Sequence, residues 1–185
     1  MEIKGSVVRT IQEYMKTKFP EKFDEWLSQL PSSASAIHKG TIKPSDWYPL
    51  HESAVLPTEV LGKIVFNGDI KKASWECGRF GAESTLKGIY RFFLMATPSR
   101  MVVSTGGRIL TTFYRPVDFK LVESGSGSAK VHVTRIEDPS GVIENRIGGW
   151  IERALEIQGI KAARVEITQS LAKGDPMTEI TISWQ

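Results

Sequence analysis

The sequence predicts an α+β fold, in which a helical N-terminal part packs on a four-stranded antiparallel sheet. Two observations support this prediction. Through most of residues 1–115 the apolar residues recur at the spacing of an amphipathic helix. After Pro116 they alternate with polar residues in four short segments, two on each side of one helical segment. The C-terminal part is therefore expected to run strand–strand–helix–strand–strand.

The helical part is predicted to open with two short amphipathic helices. Val7, Ile11 and Met15 share one face of the first helix, which ends before Pro20. The second helix is predicted over residues 21–30, where apolar side chains again fall on one stripe.

Loops and helices are then predicted to alternate up to the sheet. Serine and proline favour turns over helix interiors, so residues 32–35 and 46–49 are predicted loops. A short helix is predicted over residues 57–66. Two longer amphipathic helices are predicted over residues 86–94 and 99–114.

The C-terminal part is predicted to form two hairpins around one helix. The first hairpin turns at Gly125-Ser126-Gly127, which joins two alternating segments and precedes no helix. The helix follows, with Gly159 as its C-terminal cap. The second hairpin turns at Gly174-Asp175-Pro176.

Composition limits the domain organisation and the class of partner. The 185 residues include 24 Lys+Arg and 21 Asp+Glu, spread along the chain, so we expect no nucleic-acid binding. The single cysteine excludes an internal disulfide and favours the cytoplasm. No apolar run reaches the roughly 20 residues that cross a bilayer. We expect one domain spanning residues 1–185, mainly helical over residues 1–115 and ββαββ over residues 116–185.

The titratable residues do not form a pattern typical of a metal or catalytic site. His38, His51 and His132 are far apart in the sequence, so we interpret them as surface residues and expect no metal. Cys77 has no histidine near it in sequence, which favours a small buried hydrophobe over a nucleophile. No nucleotide-binding fingerprint or acid–base pair is evident, and we expect that the protein is not an enzyme.

Aromatic and methionine side chains are the most suggestive feature of the helical part. They could line an apolar cavity or belong to an ordinary core, and periodicity alone does not decide between the two. If a cavity exists, we expect its ligand-binding residues to be Tyr90, Phe93, Met101, Phe113 and Tyr114, with Arg79 or Arg108 as a polar anchor.

Several motifs resemble one superfamily, which joins 4-vinyl reductase domains, haem–nitric-oxide-binding (H-NOX) domains and TRAPP-type subunits. The motifs are Gly88-Ile89-Tyr90-Arg91-Phe92-Phe93-Leu94, Gly148-Gly149-Trp150-Ile151, Val165-Glu166-Ile167 and Gly174-Asp175. The chain is most similar to an uncharacterised bacterial branch. The resemblance implies helices over a four-stranded sheet, a ligand cavity between them, and a role in sensing small molecules or assembling with partner proteins.

The chain departs from the haem-binding members of this superfamily at two motifs. Those members carry a proximal histidine and a Tyr-x-Ser-x-Arg motif. This chain has no histidine between His51 and His132, and Tyr90 is followed by Arg91-Phe92. From these departures we expect no cofactor, and in particular no haem.

Three functions are weighed from these observations. The first is a non-catalytic sensory domain that binds an apolar or aromatic small molecule, or a fatty acid, and signals through a partner protein. The alternative is a homodimeric protein–protein interaction module with a filled core. A reductase-like enzyme is third, since it rests on fold analogy alone.

Overall fold

The computed structural model describes residues 1–86, 110–160 and 162–184. Most of the two helices predicted between residues 86 and 114 therefore lies outside the described residues. The same is true of four predicted ligand-binding residues, which are Tyr90, Phe93, Met101 and Arg108.

The described helices form most of the N-terminal part and one long C-terminal element. They are α1 (Gly5–Lys18), α2 (Phe23–Gln29), α3 (Ser32–Lys39), α4 (Leu56–Val65), α5 (Ile70–Thr85) and α6 (Gly141–Gln158). Short helical turns occur at Pro20–Lys22, His51–Val55 and Leu171–Lys173. Residues 110–113 are also helical.

The strands make two antiparallel sheets. They are β1 (Glu2–Lys4), β2 (Trp47–Pro49), β3 (Tyr114–Arg115), β4 (Asp118–Ser124), β5 (Ser128–Thr134), β6 (Arg164–Gln169) and β7 (Thr178–Ser183). The small sheet has the order β2-β1-β3, and the larger sheet has the order β4-β5-β7-β6. The predicted α+β class, with its four-stranded antiparallel sheet, is confirmed.

The larger sheet buries one face because its register aligns the apolar positions of neighbouring strands. Val131 of β5 lies opposite Ile180 of β7, and Val165 of β6 lies opposite Ile182 of β7. These side chains share one core with Ile143 and Leu155 of α6, among other residues. The alternation that predicted the strands is therefore the alternation between this core and solvent.

The cap residues of α6 fix its two ends. The Ser140 hydroxyl accepts a hydrogen bond from the Val142 backbone N–H over 3.2 Å, which satisfies one of the free donors of the first turn. Gly159 ends the helix with a φ of 98°, a left-handed conformation that favours glycine. The predicted C-terminal cap is confirmed.

Two segments that we predicted as loops are regular structure. Residues 32–35 begin α3, whose buried Ala34 and His38 pack inward, with the His38 ring edge-on to Trp26 at 5.3 Å. Within 46–49, β2 pairs with β1 over a long separation in sequence, which local composition does not show.

Two helical elements also differ from the prediction. Tyr114 belongs to β3, where it pairs with Ile3, and not to the end of a helix. Helix α5 was not predicted, because its buried positions are the small residues Ala73, Ser74, Cys77, Gly78, Gly81 and Ala82, which give a weak apolar pattern.

Within the described part of the chain, no helix combines the length and the apolar character that a membrane span requires.

Candidate functional site

A cavity lies where α1, α5, α6 and the segment before β3 meet. Its volume is about 20 Å³, which is room for a group the size of one or two waters. The described residues that line it are Val7, Thr10, Cys77, Gly78, Gly81, Thr85, Leu110, Phe113, Tyr114, Arg146, Ile147 and Trp150. The lining is mainly apolar, and its polar side chains include those of Thr10, Thr85, Cys77, Tyr114 and Arg146.

Glycines bring α5 and α6 together along one wall of the cavity. A Cβ atom on Gly78 would lie 2.1 Å from the Arg146 carbonyl oxygen, and one on Gly149 would lie 2.2 Å from the Trp75 carbonyl oxygen. Both distances are far below van der Waals contact, so only glycine permits this backbone approach. The close crossing places Cys77 of α5 beside Arg146 of α6.

Arg146 is the most unusual residue of the cavity wall. It is only 2% exposed, although arginine is almost never fully buried without a partner. Its Nη1 lies 3.5 Å from Thr58 Oγ1, and its side chain also reaches the Tyr114 hydroxyl. Both partners are neutral hydroxyl groups, so neither compensates the charge of the guanidinium.

The titratable groups around Arg146 are held in their neutral forms. Burial raises the pKa of the Cys77 thiol to about 11, although the Arg146 charge acts in the opposite direction. Burial also raises the pKa of Tyr114. For His38, burial and the Arg146 charge lower the pKa, against the effect of its bond to the Ser53 carbonyl.

No carboxylate of the described residues lies within 4.0 Å of the Arg146 guanidinium. Residues 87–109, which the structure does not describe, contain neither Asp nor Glu in the sequence. A buried charge loses its hydration, and without an opposite charge nearby no Coulomb attraction offsets that cost. Arg146 is therefore a positive centre that an anionic group could neutralise.

The predicted ligand-binding residues are placed in three different ways. Phe113 and Tyr114 lie at the cavity. Arg79, predicted as an anchor, instead lies across α5 and α6, where it pairs with Glu152 and, over 2.9 Å, with Glu156. The structure does not describe Tyr90, Phe93, Met101 and Arg108.

None of the three histidines is among the described residues that line the cavity. His51 is exposed, and His132 lies on the sheet face opposite Val131, with Nε2 3.0 Å from Glu179 Oε2. His38 is buried, so its interpretation as a surface residue was wrong. Among residues 1–86, 110–160 and 162–184, no group of three metal-ligating side chains is assembled.

Sequence analysis missed Arg146, although a signal was present. Arg146 stands four residues after Val142 and one before Ile147, so a charged residue falls on the apolar stripe of the predicted helix. A charged residue in such a position either pairs with an opposite charge or has a function, and both interpretations could have been considered from the sequence.

Comparison with known proteins finds structural likeness only. No family model matches the chain, and no curated protein matches it. The Fe(II) unliganded H-NOX protein from K. algicida has a TM-score of 0.70 and 13% identity, covering 99% of this chain and 97% of that chain. The H-NOX protein from S. oneidensis in the Fe(II)NO ligation state has a TM-score of 0.71 and 11% identity, covering 99% of both chains.

These neighbours contradict our expectation that the protein takes no cofactor. Both are Fe(II) proteins, whereas we expected no cofactor and excluded haem from the missing proximal histidine and Tyr-x-Ser-x-Arg motif. We excluded haem on sequence motifs alone, whereas the chain shares its overall fold with these two H-NOX proteins despite the low identity. The missing motifs are therefore not sufficient grounds to expect no cofactor.

The cavity between α1, α5 and α6 is too small for haem. A porphyrin is many times larger than a cavity of about 20 Å³. Among the described lining residues, Cys77 and Tyr114 carry groups of the type that ligate haem iron, and burial keeps both protonated. Accordingly, no step below is derived through an iron centre.

Identity of 11–13% over nearly the whole of both chains shows the fold and nothing finer. The vinyl-reductase and TRAPP parts of the resemblance stay predictions. The H-NOX part is confirmed at the level of architecture, since the chain has the fold of H-NOX domains.

Proposed function

We propose that the protein is a sensory domain that binds a small molecule at the cavity between α1, α5 and α6. The observation that carries the proposal is the buried, uncompensated charge of Arg146 at that cavity. Support also comes from the shared fold, since one structural neighbour is an H-NOX protein with NO bound at Fe(II). A concave site with few polar groups among apolar ones is typical of small-molecule sites.

The arrangement of α5 and α6 suggests how binding could be transmitted. Gly78 and Gly149 hold the two helices in direct backbone contact beside the cavity. A ligand that fits one spacing of these helices better than another would shift the population toward that spacing. Trp150 would sense the change directly, because it lines the cavity.

An ion-pair network on the outer side of α5 and α6 would carry the change to the surface. Arg79 bridges the helices through Glu152 and Glu156, and Arg153 joins Glu83 of α5 over 2.9 Å. These side chains are about one-fifth to two-fifths exposed, within reach of another protein. A change in helix spacing would alter these pairs, and we propose that a partner protein reads this surface.

Haem is the first ligand to test for binding to the protein, because both reported neighbours contain Fe(II). Protein purified from cells supplied with iron and a haem precursor should be scanned through the Soret region and weighed by native mass spectrometry. A Soret band with a matching added mass would identify the cofactor. A small added mass without a Soret band would identify a ligand of another class.

The sensory function itself is tested by tryptophan fluorescence of the full chain. Ligand binding is expected to change the emission of Trp150, and Trp150→Phe should remove most of that change. Trp184→Phe is the matched control, because Trp184 lies next to the β7 strand and outside the cavity lining. If ligands bind and the emission of both variants and of the unaltered chain stays constant, the proposal is wrong.

The other predicted functions stay predictions. A homodimeric interaction module would be revealed by the mass of the native protein in solution. Absence of enzymatic activity and the predicted apolar or fatty ligands likewise await measurement.

A further inference from the structure

Among the described residues, no carboxylate pairs with the positive charge of Arg146. The neighbouring titratable groups are His38 of α3, Cys77 of α5 and Tyr114 of β3, and each is neutral at physiological pH. Glu76 precedes Cys77 in the chain, and its charge raises the pKa of the Cys77 thiol. Glu76 forms no ion pair with Arg146. The described part of the site therefore carries a positive charge at Arg146.

Such a site favours an anion for two separate reasons. The guanidinium of Arg146 loses its hydration on burial, and contact with an anion compensates that loss. The attraction is strong because the protein interior screens charge weakly. The planar guanidinium also offers several N–H donors, which match two oxygens of one carboxylate. The Tyr114 hydroxyl can donate to an anionic oxygen as well.

The size of the cavity limits which anion enters. A volume of about 20 Å³ admits a group of a few heavy atoms and excludes an extended chain. None of the other described lining residues carries a carboxylate, so none of them supplies a competing counterion.

We propose that Arg146 and Tyr114 form a binding site for a small oxygen-bearing anion of the size of formate. This inference rests on the proposed sensory function, since it names the ligand class of the same cavity. The anion pairs with the guanidinium, accepts a hydrogen bond from the Tyr114 hydroxyl and occupies the space between α5 and α6.

Thermal unfolding of the full chain tests the site. The protein is unfolded in potassium formate and in potassium gluconate at equal ionic strength, because gluconate is an anion too large for the cavity. Formate is expected to raise Tm in proportion to the logarithm of its concentration above Kd, by about 4 °C at ten times Kd, whereas gluconate is expected to leave Tm unchanged. Equal Tm values in the two salts would overturn the proposal.

Variants assign the effect to Arg146. Arg146→Gln should lose the formate-dependent shift, and Tyr114→Phe should weaken it. Arg153→Gln should keep it, because Arg153 is on the same helix but pairs with Glu83 and Glu156 on the outer surface. A full shift in Arg146→Gln would contradict the assignment.

A measurement on the unaltered chain covers the case in which Arg146→Gln does not fold. Cys77 lines the same cavity, so formate should slow its reaction with a thiol reagent several-fold relative to gluconate. Unchanged reaction rates would contradict the site.

The two proposals can fail separately. Formate protection without any change of Trp150 emission would leave the anion site standing and refute the sensory function. A change of Trp150 emission with another ligand, without formate protection, would refute the anion site alone.

Discussion

At the scale of single residues, burial favours the neutral forms of polar groups in the N-terminal part, and hydrogen bonds satisfy those forms. His38 is the clearest example. The Ser53 carbonyl can only accept, so Nε2 of His38 carries the proton and donates over 3.0 Å. Nδ1 then accepts from the Gln12 amide over 3.2 Å. Both ring nitrogens are satisfied, and a second proton would break one of these bonds.

His38 should make stability depend on pH. Its pKa is lowered in the folded state, so the unfolded chain binds the extra proton first as pH falls below about 6.5. Stability is therefore expected to fall from that pH down to the lowered pKa, by about 1.4 kcal/mol for each unit of difference. Denaturant unfolding between about pH 7.5 and pH 5 measures the slope.

The slope should be smaller in His38→Gln, and His51→Asn, which replaces an exposed histidine, is the matched control. A His38→Gln protein with the same pH dependence as the unaltered chain would refute this role of His38.

Cys77 should be unreactive in the folded protein. Its thiol is 2% exposed, and burial raises its pKa from 9.0 to about 11, which lowers the thiolate fraction about 100-fold near neutral pH. Labelling with a thiol reagent should be slow in the native state and fast after unfolding in guanidinium chloride. Rapid labelling of the native protein would show that the cavity opens readily.

The environment of a side chain could be predicted only where the local sequence pattern determines its burial. The interpretation of Cys77 as a small buried residue is confirmed. Arg79 was expected to anchor a ligand, whereas in the structure it pairs with Glu152 and Glu156, more than seventy residues away in sequence. Arg146 was overlooked for the same reason, since its isolation depends on what the fold brings near it.

At the scale of elements, the contact between α5 and α6 depends on individual glycines. Gly78→Ala would place a methyl group against the Arg146 backbone, so we expect a loss of stability of about 1–3 kcal/mol or more. Gly81→Ala is the matched control on the same helix, because the nearest atom to its added Cβ, on Trp150, is 3.8 Å away.

Gly81→Ala should be neutral, or stabilising by up to about 1 kcal/mol from higher helix propensity. Denaturant unfolding of the two variants measures both values. Equal stability of Gly78→Ala and Gly81→Ala would mean that the helices separate without cost.

Elements with local signals were predicted well, and elements made by distant pairing were not. The two hairpins carry their turns and their alternation within a few residues, and both are present as predicted. β2 is a strand only because β1 pairs with it, with Tyr48 opposite Ile3. α5 was missed because it packs through small residues, whose pattern is faint in sequence.

At the scale of the whole molecule, one architecture is shared by chains that agree at few positions. The chain and the H-NOX protein from S. oneidensis are 11% identical, yet each covers 99% of the other. Apolar spacing and a few close-packing glycines can preserve such a fold, whereas ligand chemistry depends on individual side chains. The buried Arg146 at the α5–α6 crossing is the feature on which our functional account rests.

Amide hydrogen exchange with formate and with gluconate, at equal ionic strength, tests the central claim that an anion held by Arg146 is coupled to the contact between α5 and α6. Our account predicts that formate slows exchange in both helices and leaves the β4–β5 hairpin unchanged. Identical exchange of α5 and α6 in the two salts would contradict it.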